Sequence, residues 1–270
     1  MIKEDILHKI VENKKVEIQQ QSKTIPLSAL MQSENMQRQT VSMKQALQNS
    51  QTGIIAEFKR KSPSKGWIFE DANIANVVPQ YEKAGASACS ILTDTLFFGG
   101  TAQDLQKARN LVNLPLLRKD FIIDPYQLYE AKAWGADAVL LIAACLTTEQ
   151  CEQVAEIAHN LSLEVLLEIH TIEELEYLNP HIDMLGVNNR NLGSFYTDIQ
   201  NSFKLIEVMK QKTTETGYSP LMVSESGISD PTTVITLRES GFRGFLIGEN
   251  FMKTGKPGES LADFVKQITQ

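Results

Sequence analysis

The chain has 270 residues, 42% hydrophobic and 22% charged, which suits one large α/β core or two small domains. Its formal net charge of −7 argues against non-specific nucleic-acid binding, because the phosphate backbone is itself an anion. Cys89, Cys145 and Cys151 are too few and too irregularly spaced for a disulfide framework or a structural zinc site, and no apolar run approaches a membrane span.

The opening MIKEDILHKI carries charges throughout and does not read as a signal peptide. A soluble protein of a reducing, cytoplasmic compartment is expected. Residues 1–50 contain no glycine and are rich in Gln, Lys and Glu. Ile2, Ile6 and Ile10 lie four apart, with Leu7 and Val11 beside them, which predicts an amphipathic helix of two to three turns. Pro26 breaks that pattern, and a second short helix is expected near Ser42 to Leu47. Residues 1–50 therefore read as a helical extension packed on a body of residues 51–270, in a single domain.

From Gly53 onward short apolar runs recur: Ile54–Phe58, Ala88–Leu92, Leu114–Leu117, Ala138–Ile142, Glu164–Ile169, Met184–Val187, Leu221–Ser224 and Gly244–Ile247. Helical stretches follow them: Asn73–Ala84, Gln103–Leu111, Pro125–Trp134, Thr148–Leu161, Glu173–Leu178, Ser202–Lys212, Pro231–Ser240 and Ser260–Ile268. Asp124-Pro125, Thr147-Thr148 and Asp230-Pro231 are helix starts, and Gly85, Gly135 and Gly241 are helix ends. Strand and helix alternating in this way call for parallel pairing. Eight such units predict a closed (β/α)8 TIM barrel with an N-terminal helical extension, a fold that typically takes about 250 residues. An open doubly wound sheet is the alternative, although no G-x-G-x-x-G follows the first strand.

In a barrel the site lies at the C-terminal strand ends. Those ends carry Glu57 and Lys59, then Thr93-Asp94 with Phe97-Phe98-Gly99-Gly100, then Arg118-Lys119-Asp120. Ala143-Ala144-Cys145, Glu168-Ile169-His170, Asn188-Asn189-Arg190, Ser224-Glu225-Ser226-Gly227 and Gly248-Glu249-Asn250 complete the rim. Strand ends one, three, five and seven thus bring two lysines and three glutamates together. Half-buried Lys and Glu are costly unless paired, and pairing tunes their proton affinity for acid–base work. Ser226-Gly227 and Gly248 follow the last two strands, where barrels bind phosphate, and Lys59 and Ser62 are within reach of such an anion. A phosphorylated small-molecule substrate is expected. His170 reads as structural, His8, His159 and His181 as exposed, and the cysteines as small core side chains. Of Phe97 and Phe98, one is expected to face the core.

The segments IIAEFKRKSPSKG, LTDTLFFGG, LLRKDFIIDPYQ, LLEIH, GVNNRNL, SESGI and FLIGE, in this order, resemble the indole-3-glycerol phosphate synthase family over residues 45–255. The resemblance implies a carboxy-lyase of tryptophan biosynthesis. It implies that 1-(2-carboxyphenylamino)-1-deoxyribulose 5-phosphate closes to an indole with loss of CO2 and then water. Loss of CO2 restores aromaticity, so no metal or organic cofactor is implied. By the same resemblance Lys119 is the general acid at the ketone oxygen and Glu168 the general base of dehydration. Lys59 holds the substrate carboxylate and assists proton transfer, while Glu57 and Asn188 orient the reacting centre. Arg190 and Glu225 are pocket residues, Glu225 fixing the lysine. Ser62, Ser226, Gly227, Gly248 and Glu249 lie where the family grips phosphate, Glu249 through its backbone N–H with its side chain turned away. Phe98 lies near the anthranilate ring. Thr101 stands where the family pattern has serine.

Two rival readings follow from the same barrel. A phosphoribosylanthranilate isomerase would be expected to carry a Cys/Asp acid–base pair at strand ends one and six. Here those ends hold Glu57/Lys59 and Asn188/Arg190. A catalytically dead scaffold would not be expected to keep Lys119 and Glu168. No nucleic-acid or membrane partner is expected, and the protein is expected to be a monomer or weak homodimer.

Overall fold

A computed structural model describes residues 6–191 and 196–269 of the chain. Eight parallel strands close into a barrel: β1 Ile54–Phe58, β2 Ala88–Leu92, β3 Leu116–Lys119, β4 Ala138–Ile142, β5 Glu164–Ile169, β6 Met184–Asn188, β7 Leu221–Glu225 and β8 Gly244–Ile247. Each strand pairs with its neighbours in sequence, and β8 returns to β1 with Ile55 opposite Leu246. Closure removes the sheet edges that the open alternative would have left.

Strand period does the positioning. In β1, Ile54, Ala56 and Phe58 face the surrounding helices, while Ile55 faces inward. Leu117 of β3, Leu140 of β4, Leu166 of β5, Met184 of β6 and Val223 of β7 join Ile55 in the interior cluster. Two residues beyond an inward apolar side chain comes the next inward position. That step leads from Ile55 to Glu57, from Leu117 to Lys119, from Leu166 to Glu168 and from Val223 to Glu225. The charged side chains are thus the top layer of an otherwise apolar filling. Fully burying each aliphatic side chain below them contributes about 1.5–3 kcal/mol.

The third strand runs two residues later than its apolar run predicts, so that it ends on Lys119 itself. Backbone pairing of Leu92 with Lys119 extends it, a signal that hydropathy does not contain. The remaining elements fall close to expectation. Gly85, Gly135 and Gly241 each adopt a positive φ at a helix end. Thr101 caps the helix Ala102–Arg109 by accepting from the Asp104 N–H, so its hydroxyl is in use. After β1 a small antiparallel pair, Lys61–Ser62 with Gly66–Trp67, forms a hairpin over the rim.

The extension differs most from the sequence reading. α1 spans Ile6–Thr24, far beyond the two to three turns expected, and is followed by α2, Leu27–Leu30, and α3, Met43–Asn49. Ile2 lies outside the described residues. Ser42 caps α3, and Met43 and Leu47 are fully buried among the interior side chains. Glu164, at the start of β5, accepts from Ser42 and from the Lys44 N–H, so α3 sits at the barrel floor. Ile6, Leu7 and Ile10 of α1 lie at the opposite end, beside the C-termini of the strands. The extension therefore spans the barrel from mouth to floor.

Candidate active site

A cavity of about 580 Å³ opens at the C-terminal strand ends. Its wall contains Glu57, Lys59, Lys119, Glu168, Asn188 and Arg190, brought together from β1, β3, β5 and β6. Ser62, Phe98, Ser226, Gly227, Gly248 and Glu249 also line it. One expected pocket residue does not: Glu225 is 0% exposed and is absent from the wall. It lies inward of Lys119 and grips it.

Lys119 Nζ donates to Glu168 Oε2 at 2.8 Å and to Glu225 Oε2 at 3.1 Å. Burial disfavours the ammonium, but Glu168, Glu225 and Glu57 outweigh it, and the Lys119 pKa is raised. Glu168 is 1% exposed, and burial works against its charge. Lys119 and His170 win, holding it down at about 2. For Glu225, burial and the neighbouring Glu168 charge prevail over Lys119 and push it up to about 7. The two carboxyls share one ammonium, and they titrate as a set.

Glu225 fits there because β6 carries Gly186 beside it. A Cβ on Gly186 would come within 2.3 Å of Glu225 Oε1. Gly248 does the same for β1, since a Cβ there would meet Glu57 Oε1 at 2.2 Å. Glu57 in turn pairs with Lys59 at 2.5 Å, so the first strand delivers an ion pair rather than two separate charges. Asn188 accepts the Arg190 N–H through Oδ1 at 3.0 Å and also hydrogen-bonds Glu168.

The far end of the cavity is polar. Arg190 Nη1 donates to Ser64 Oγ at 3.0 Å and Nη2 to Glu249 Oε2 at 3.1 Å, with Lys65 4.0 Å from Glu249. The Glu249 side chain thus turns onto the rim cations instead of away from them. A carboxylate beside Arg190 and Lys65 offsets their mutual repulsion. Ser226 and Gly227 both take positive φ, and a non-glycine residue there stores strain of a kind found at binding loops. The opposite end is apolar. Phe98 and Phe121 pack with tilted rings, centroids 5.9 Å apart, beside Ile6, Leu7 and Ile10 of α1. Phe97 and Phe98 are both half-buried, so neither is a full core residue.

The histidines depart from expectation in part. His8 is exposed, but His159 and His181 are half-buried and stack edge to face, with His159 Nε2 2.9 Å from Asp183. His170 is wedged between Glu168 and Glu174, at 3.5 and 3.6 Å. Burial lowers its proton affinity, but those carboxylates reverse the sign and raise it.

Several wall residues were missed from sequence: Phe121, Ser64, Lys65 and the α1 trio. The α1 signal was available. The spacing of Ile6 and Ile10 continues to Lys14 and Ile18, and Ile10, Lys14 and Ile18 are the buried residues of that helix. A lysine inside an apolar stripe is an unusual placement. Leu192 of the GVNNRNL segment lies outside the described residues. Among the described residues, no group of three or more His, Cys, Asp or Glu is arranged to hold a metal ion.

The model of the indole-3-glycerol phosphate synthase family matches residues 7–264. A protein of that name from Bacteroides thetaiotaomicron is 57% identical over 264 residues, covering 98% of this chain and 99% of its own. One from Polynucleobacter asymbioticus is 41% identical over 270 residues, covering 96% and 98%. Among solved structures, a tryptophan synthase complex of the hyperthermophile Pyrococcus furiosus contains a chain that superposes with a TM-score of 0.60. At 15% identity, covering 81% of this chain and 98% of that one, it shows a shared barrel fold alone.

Proposed function

The chain belongs to the indole-3-glycerol phosphate synthase family, and from that premise we propose how its rim residues divide the work. The reaction is ring closure, decarboxylation and dehydration of 1-(2-carboxyphenylamino)-1-deoxyribulose 5-phosphate. The observation that carries the assignment of roles is the Lys119–Glu168 pair, 2.8 Å apart in the cavity wall.

Lys119 is the general acid. Its raised pKa keeps it an ammonium at neutral pH, ready to donate to the ketone oxygen as the ring carbon attacks. Glu168 is the general base of dehydration. Held ionised by Lys119 and His170, it accepts the ring proton once Lys119 has turned to the substrate. Lys59, tethered by Glu57, holds the substrate carboxylate and assists proton transfer. Asn188 orients the departing hydroxyl, and Glu225 positions Lys119 from behind. Phe98 flanks the anthranilate ring. Ser62, Ser226, Gly227, Gly248 and Glu249 form the phosphate end, where Arg190 also lies. A phosphate arriving there competes with the Glu249 carboxylate for Arg190. No cofactor is needed for these steps.

We read the protein as one domain, a monomer or weak homodimer acting in the cytoplasm. Three free cysteines suit a reducing compartment. Among the described residues no helix is long and apolar enough to cross a membrane.

The test is turnover followed by indole fluorescence, with EDTA present. The wild type should give a steady rise. Lys119→Ala should lower kcat by about 10²–10⁴-fold, the range for a positioned acid or base. A flat wild-type trace, with turnover of phosphoribosylanthranilate instead, would move the function to the isomerase; a near-normal Lys119→Ala rate would remove Lys119 from the chemistry.

A further inference from the structure

The rim charges just described do not include the most deeply buried lysine of the molecule's extension. Lys14 of α1 is 1% exposed. Its ammonium lies 3.1 Å from Asp94 Oδ2, 2.9 Å from Asp120 Oδ1 and 2.8 Å from Glu17 Oε2. The two aspartates are themselves buried, at 0% and 2% exposure. They belong to the loops after β2 and β3, so one side chain joins the extension to two strand ends.

Each aspartate serves a residue of the cavity wall. Asp94 caps the short helix Thr95–Phe98 by accepting from the Phe97 N–H at 2.8 Å, and that helix presents Phe98. Asp120 follows Lys119 directly and accepts the Phe121 N–H at 2.8 Å. It is held on its other side by Thr93 at 2.6 Å and Arg118 at 3.1 Å. On α1, Ile10 lies one turn before Lys14 on the same face, and it lines the cavity with Ile6 and Leu7. The aromatic pair and the aliphatic trio therefore meet over one buried cation. Packing alone would let α1 slide along the rim, since apolar contact is non-directional. A buried ammonium between two carboxylates fixes its place, because moving it leaves a charge unpaired.

We infer that Lys14 is a positioning residue for the apolar end of the site: clamped between Asp94 and Asp120, it holds Ile6, Leu7 and Ile10 of α1 against Phe98 and Phe121 and so sets affinity for an aromatic ring. The inference rests on the function proposed above for the identity of that ring. It assigns Lys14 no contact with the reacting atoms. Substrate capture should depend on it, and the chemical step should not.

The experiment compares wild type, Lys14→Met and Lys14→Arg. In steady-state turnover, Lys14→Met should raise KM about tenfold with kcat within about threefold, and Lys14→Arg, which keeps the charge in a larger side chain, should recover part of the loss. Equilibrium titration with anthranilate should show the same loss of about tenfold, while affinity for inorganic phosphate stays within about twofold. Should Lys14→Met not fold, Asp94→Asn, which keeps the Oδ1 acceptor of the Phe97 N–H but removes one charge from Lys14, must show the same split between the two ligands. Equal loss of both ligands, an unchanged anthranilate affinity, or a fall in kcat at constant KM would overturn the proposal. Because the titrations need no turnover, they decide the role of Lys14 even if the wild type fails to close an indole ring.

Discussion

At the scale of single residues the site is a problem in sharing one proton-rich cation between two buried carboxylates. Lys119 satisfies Glu168 and Glu225 together, yet the two end with opposite shifts, one down to about 2 and the other up to about 7. The sign for stability follows from linkage. Between about pH 4.5 and about pH 7, folded Glu225 keeps a proton that the unfolded chain has released. Its contribution to stability is therefore complete at low pH and is lost as pH rises through about 7. Glu225→Gln mimics the protonated form. It should gain stability over wild type between about pH 5 and about pH 8, by on the order of 1–3 kcal/mol at the upper end. Thermal unfolding across that range checks it. A difference that is flat or shrinks with pH would mean that Glu225 is ionised throughout.

At the scale of elements, strand period converts sequence into a site. Gly186 illustrates how closely. Placing Ala there adds a methyl beside Glu225 Oε1, but that atom ends a flexible side chain, and a strand gains from Ala over Gly by about 0.5–1 kcal/mol. The expectation for Gly186→Ala is a stability within about 1 kcal/mol of wild type and a clear loss of kcat, as Glu225 shifts off Lys119. Large destabilisation with normal kcat would show that the strand, not the carboxylate, absorbs the methyl. The strand ends carrying Glu57, Glu168 and Asn188 were legible because alternation and apolar runs report burial directly. Lys119 was legible as the residue at the end of β3, but the bounds of that strand were not, because Arg118 and Lys119 are polar residues within the ladder, and Arg118 hydrogen-bonds Thr93, Asp120 and Glu130. The length of α1 was not legible either. Its polar face is broad, and its buried stripe is broken by Lys14, whose partners are 80 and 106 residues away in sequence.

At the scale of the whole molecule, the barrel is closed at its floor by α3 and roofed at its mouth by α1, so the extension is part of the site's architecture. The polar end under the loops after β1, β7 and β8 and the apolar end under α1 give the cavity a direction. On the function proposed above, the phosphate of the substrate takes the polar end and its aromatic ring the apolar end, with the reacting carbons over the Lys119–Glu168 pair. The order of the motifs was legible because each falls at a strand end. The partition of Glu225 and Glu249 was not, since whether a rim carboxylate faces the cavity depends on which cation it meets in space.

The most direct test of these roles follows CO2 release and indole fluorescence together in Glu168→Gln. If Glu168 is the base of the dehydration and Lys119 the acid of ring closure, CO2 should appear while indole fluorescence lags far behind, with a decarboxylated, hydrated intermediate accumulating. Equal suppression of both signals, or wild-type fluorescence, would contradict that division of labour.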